Sequence, residues 1–137
     1  MLKNSGFTVM ELIIVALVMA IIAAAVIPKI HSQGRIVATM AAELAASDIR
    51  AVQNAAMYTG SPKSITFSAG LSVYTASGLM PEERKLPGNA APDSDYQITF
   101  NSFGEPDAGG VGSFDIISGG EAKAITVSAL TGKVTIE

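Results

Sequence analysis

The sequence predicts an α+β fold. A long N-terminal α-helix, transmembrane in its first half, is expected to pack against a C-terminal head built on antiparallel β-sheet. Three observations in the 137-residue chain lead there. Residues 7–27 form an apolar run holding one acidic residue, Glu11. Residues 35–57 are alanine-rich and favour helix. Beyond Gly60 the apolar period changes from helical spacing to strict alternation, the mark of strands with one buried face.

The apolar run would rise about 32 Å as an α-helix, enough to cross a bilayer core of about 30 Å. Glu11 is the anomaly in it. A carboxylate at membrane depth is costly and needs a partner charge. The run holds no basic residue before Lys29, so the partner must come from elsewhere. A new amino terminus is the nearest source. Residues 1–6, Met1-Leu2-Lys3-Asn4-Ser5-Gly6, form a short basic, polar leader ending in glycine. An ordinary secretory signal would also use Lys3, with Ala23-Ala24-Ala25 as its small-residue cleavage pattern. Glu11 then falls inside the apolar region, where signal peptides avoid charge, and the helical pattern continues past Pro28.

The junction Gly6-Phe7-Thr8-Val9-Met10-Glu11-Leu12 resembles the processing site of type IV prepilins and of the pseudopilins of type II secretion. The resemblance implies cleavage between Gly6 and Phe7 by a prepilin peptidase and N-methylation of Phe7. It also implies a role in filament assembly for Glu11, which neutralises a terminal amine, and for Thr8 beside it. Pro28 matches a proline common in that family, and its ring opposes the carbonyl of Ala24, so a kink is expected there. Gly34 adds a second weak point in the helix.

In the alanine-rich segment, Val37, Met40, Ala41, Leu44, Ala45, Val52 and Ala55 recur at helical spacing and form the expected packing seam. Arg35, Thr39, Glu43, Arg50 and Gln53 lie mostly opposite. Asp48 falls within the apolar face, positioned to bond a loop of the head. The helix is expected to end at Tyr58-Thr59-Gly60-Ser61-Pro62, glycine followed by proline.

Six alternating runs then read as strands, around residues 64–68, 71–75, 96–100, 114–118, 124–128 and 132–136. Ser68-Ala69-Gly70 and Leu130-Thr131-Gly132 read as hairpin connections. Residues 80–94 mix charge with three prolines and read as an exposed loop. The strand ending in Phe100, then Gly104, then a last hairpin closed by Gly132-Lys133-Val134 resembles the head of the H-type minor pseudopilins and related minor pilins (the GspH/FimT group). The expected organisation is a leader at 1–6, a transmembrane and filament-core helix at 7–30, an amphipathic helix at 31–59 and a β-rich head at 60–137.

The remaining residues supply no chemistry. The formal charge of −3 comes from 9 basic and 12 acidic side chains, and removing the leader takes Lys3 with it. Nothing in that balance suggests a nucleic-acid surface. The chain has no cysteine, which excludes thiolate metal sites, thiol catalysis and the C-terminal disulfide of many major pilins. His31 is the only histidine and lies on the helix. Asp93, Asp95, Glu105 and Asp107 lack the regular ligand spacing of a calcium loop. The glycine-rich stretch from Gly104 to Gly112 lacks the lysine and hydroxyl of a phosphate loop. No enzyme, metal or cofactor is therefore expected. The resemblance implies an inner-membrane, single-pass protein with a periplasmic head, which then enters a periplasmic pseudopilus or surface pilus. Its implied partners are other pilin or pseudopilin subunits, the peptidase, the assembly platform and the membrane. A major pilin forming the bulk of a fibre is the alternative.

Overall fold

Alanine decides how closely the helix meets the sheets. In the computed structural model, which describes residues 8–137 apart from the side chains of residues 25–32, helix α1 is assigned over Val9–Thr59. The chain divides into two compact units, residues 1–33 and 34–137. Gly6 and Phe7 lie outside the described residues, as do the side chains of Pro28 and His31 and the kink expected there.

The expected transmembrane first half of the helix is corrected. Among the described residues no helix is long and apolar enough to cross a membrane. The apolar segment described is residues 9–24. What stands is an α+β fold: helix, then antiparallel sheets.

In the second unit, Ala38, Ala41, Ala42, Ala45, Ala46, Ile49, Val52 and Ala56 form the buried stripe of α1. These differ in part from the expected seam. Met40 is exposed, and Ala42, Ala46, Ile49 and Ala56 take the inward positions instead. Small side chains at this period leave little relief between helix and sheet, so the two approach closely. Gly34 belongs to that approach: a Cβ there would lie 2.9 Å from the carbonyl oxygen of Ser118. It is a contact point of the second unit. The helix ends one residue before Gly60, whose φ of 63° is the left-handed conformation that terminates helices.

Two four-stranded antiparallel sheets follow. The first has the order β3-β2-β1-β5, from Glu83–Lys85, Val73–Ala76, Lys63–Phe67 and Tyr96–Phe100. The second has the order β4-β6-β7-β8, from Ala91–Pro92, Gly112–Ser118, Glu121–Val127 and Val134–Ile136. Each of the six alternating runs falls on a strand. Both expected hairpins form, β1 with β2 and β7 with β8. Residues 80–94 are not the plain loop they resemble. They supply the two short edge strands β3 and β4 and bury Leu86 and Ala90 in the core. Prolines and charge hid them, because edge strands tolerate both.

Phe114 of the second sheet joins the two sheets. Its ring lies 5.1 Å from that of Phe67 and 4.2 Å from that of Tyr96, both in the first sheet. Phe67 in turn stacks on Tyr74 at 4.6 Å. The aromatic ladder meets the alanine stripe in one core.

Candidate functional site

Two places stand out chemically, one in each unit. In the first, helix α1 begins at a hydrogen-bonded cap. The Thr8 hydroxyl accepts from the Glu11 amide at 3.3 Å, and the Thr8 carbonyl accepts from the amides of Glu11 and Leu12 at 3.1 and 3.2 Å. Thr8 is thus the N-cap and Glu11 the third helical residue, the Thr-x-x-Glu spacing of a capping box. That spacing is local and legible in the sequence. A carboxylate in the first turn also complements the helix dipole. The two expected assembly residues are therefore adjacent and share one helix end.

From that cap the helix presents apolar side chains in every direction. Val9, Met10, Leu12, Ile13, Ile14, Val15 and Leu17 are all exposed, Val9 at 77 %. A helix apolar all round has no stable place in water. Patches of this extent mark surfaces that are covered by something else.

The second place is the buried acid of the head. Asp48, only 5 % exposed, sits in the alanine stripe of α1. Its Oδ2 accepts a short hydrogen bond from the Tyr74 hydroxyl of β2. Arg84 of β3 grips it with two bonds, Nε to Oδ2 at 2.8 Å and Nη2 to Oδ1 at 2.9 Å. The two-pronged geometry suits a planar guanidinium and is among the stronger hydrogen-bonded pairs. The carboxylate of Asp48 holds the Arg84 pKa above its usual range. Burial, then the bond to Asp48, raises the Tyr74 phenol far above the ordinary tyrosine value. The cluster ties α1, β2 and β3 together. The Tyr74 hydroxyl in it is buried and held protonated, so the cluster reads as a structural clamp.

Tyr96 makes a second such contact, donating from its hydroxyl to the Gly110 carbonyl at 2.7 Å. Burial pushes its pKa up to about 12. These raised phenols have a measurable consequence. Below pH 10 both are neutral in the folded and unfolded chain, and their contribution is fully present. Above it the unfolded chain loses protons that the folded chain keeps, so stability falls as pH rises toward 12. Thermal melts by circular dichroism between pH 9 and 12 should show Tm dropping across that window. Tyr96→Phe should flatten part of the drop; an unchanged profile would contradict the assignment to Tyr96.

The four carboxylates considered for calcium are engaged separately. Asp95 accepts from the Ala69 amide, Asp93 from the Asp115 amide, Asp107 from the Ala108 amide and Glu105 from the Asn101 side chain. Among the described residues no group of three or more potential metal ligands comes together. Clefts along β5 are lined by Gln97, Thr99, Asn101, Glu105 and Asp107, which offer polar contacts. Gln53 was expected on the solvent side of α1. Instead its amide donates to the carbonyls of Gly104 and Thr131, at 2.7 and 3.0 Å, and pins two loops of the head.

Comparison with family models, with curated proteins and with solved structures finds no match to this chain.

Proposed function

We propose that the chain is a processed, N-methylated filament subunit, a minor pseudopilin or minor pilin of a type II secretion or type IV pilus machine. Its role is structural and not catalytic, and its N-terminal helix is the assembly element. The observation that supports this most is the capped helix of residues 9–24, apolar on every side and led by Glu11. Such a helix is stable when packed among others like it. There each helix buries its apolar side chains, at about 25 cal/mol per Å². Glu11 then meets the amine of Phe7 created by cleavage after Gly6, so neither charge is buried alone. The head stays outside the bundle, in a periplasmic pseudopilus or a surface pilus. Partners are other subunits, the prepilin peptidase and the assembly platform at the inner membrane.

The test is a count of surface pili by electron microscopy in a strain lacking the gene, against a complemented control. Loss of pili is expected if the subunit primes or builds a pilus. Normal piliation with altered protein secretion would assign it to a secretion pseudopilus. Normal piliation with an unchanged secretome would defeat the reading.

A further inference from the structure

The helix of the second unit has an outer face that nothing among the described residues covers. Ile36, Met40, Glu43, Ser47, Arg50, Asn54 and Met57 are exposed and recur at alternating steps of four and three residues. That spacing places them in one line along the helix, the repeat by which helices pair. Two pairs of positions in the line are complementary about its middle. Glu43 and Arg50 are equally spaced about a point beside Ser47, and so are Ile36 and Met57. Among the described residues the only ion pair is that of Asp48 and Arg84, so Glu43 and Arg50 have no opposite charge within reach. Arg50 spends one donor on the Val134 carbonyl at 3.0 Å, which fixes the guanidinium beside the helix and leaves its other donors available.

We propose that this face binds a second copy of the same chain, antiparallel, about a two-fold axis at Ser47. Glu43 then meets the partner's Arg50, and Arg50 meets the partner's Glu43. At the ends Ile36 packs on the partner's Met57, and Met57 on the partner's Ile36. Ser47 lies at the axis, where a small side chain lets two helices approach. A parallel copy displaced by two turns also pairs Glu43 with the partner's Arg50, but it sets Ile36 against a glutamate and Met57 against an arginine. The antiparallel pair matches Glu43 with Arg50 and Ile36 with Met57, and sets Met40 beside the partner's Asn54. An isologous contact of this kind closes on itself. It makes a reserve dimer that has to open before the subunit joins any larger assembly. The pairing does not depend on the filament reading.

The chain has no cysteine, so each introduced thiol reports alone. The full chain carrying Ser47→Cys, in non-denaturing detergent, is oxidised with copper phenanthroline and run on a non-reducing gel. Most of it should cross-link as a dimer, at least tenfold faster than the same chain with Ser94→Cys on an exposed loop. Adding Glu43→Arg should cut the rate about tenfold. Adding Glu43→Arg with Arg50→Glu should restore it, which also controls for the bond from Arg50 to Val134. Cross-linking of Ser47→Cys no faster than Ser94→Cys overturns the proposal. So does a rate indifferent to charge reversal. Faster pairing between Met40→Cys and Ser47→Cys chains than of Ser47→Cys with itself would assign the face to a parallel neighbour and also overturn it. None of these outcomes bears on whether the chain enters filaments.

Discussion

Replacing Glu11 with leucine is expected to leave cleavage after Gly6 intact and to reduce incorporation into filaments by more than a hundredfold. In the proposed bundle the amine of Phe7 is withdrawn from water along with the apolar helix. Removing one member of a buried charge pair costs about 3–5 kcal/mol, because the other charge is left unpaired. Each 1.4 kcal/mol is a factor of ten in an equilibrium constant. The local role of Glu11 is too small to account for such a loss. Its interaction with the helix dipole is worth about 0.3–1 kcal/mol. Thr8→Ala supplies the control: it removes the hydroxyl that accepts from the Glu11 amide, at a cost of about 1 kcal/mol, and leaves the carboxylate. Immunoblots of sheared filaments and of whole cells, with a size shift for cleavage, read both effects. Normal incorporation of the Glu11→Leu chain would mean that the charge pair does not drive assembly. Equal defects in the two variants would mean that the helix cap, and not the charge, is what assembly needs.

The second large effect is expected at Asp48. Asp48→Ala should destabilise the head by about 3 kcal/mol, the range for breaking a buried, hydrogen-bonded charge pair. It leaves the Tyr74 hydroxyl, whose residue is 2 % exposed, without its acceptor. It also strands Arg84, although that side chain is 28 % exposed and recovers part of its loss to water. The corresponding fall in Tm is roughly 10 °C for a domain of this size. Asp48→Asn keeps one acceptor and should cost less. Arg84→Met should cost more than Asp48→Asn, because it leaves the Asp48 carboxylate, 6 % exposed, buried without its counter-charge. Thermal unfolding of the full chain followed by circular dichroism in the β-sheet region gives the order. If Asp48→Ala melted within a degree or two of the unaltered chain, the clamp would not be holding helix to sheet.

Asp48 also shows where sequence reading reaches its end. A lone acid in an alanine face stood out, and a bond to the head was the natural expectation for it. Its partners could not be read. Tyr74 and Arg84 lie 26 and 36 residues away, and neither has a spacing to Asp48 that any local rule predicts. Arg84 sat in a stretch that composition marked as loop, and only pairing with β2 makes it a strand. Gln53 is a similar case: polar and placed opposite the seam, yet tied to two loops that fold over the side of the helix. At the N-terminus the limit was different. The Thr8-x-x-Glu11 spacing is local and could have been recognised as a cap from sequence alone.

What the sequence determined by itself was set by short-range physics. The helical period, the glycine stop after Thr59, the six alternating runs and the two hairpin turns depend on neighbours within a few residues, and each is found where the pattern put it. The exposed apolar helix is equally a matter of composition. The tertiary structure decided everything that depends on what lies across a gap. It divided the strands between two sheets joined by Phe114, recruited residues 80–94 as edge strands, and turned Met40 outward while alanines filled the seam. Periodicity measures which residues share a face. It carries no information about the partner of that face, because partner choice is settled by volume and hydrogen bonding between segments distant in sequence.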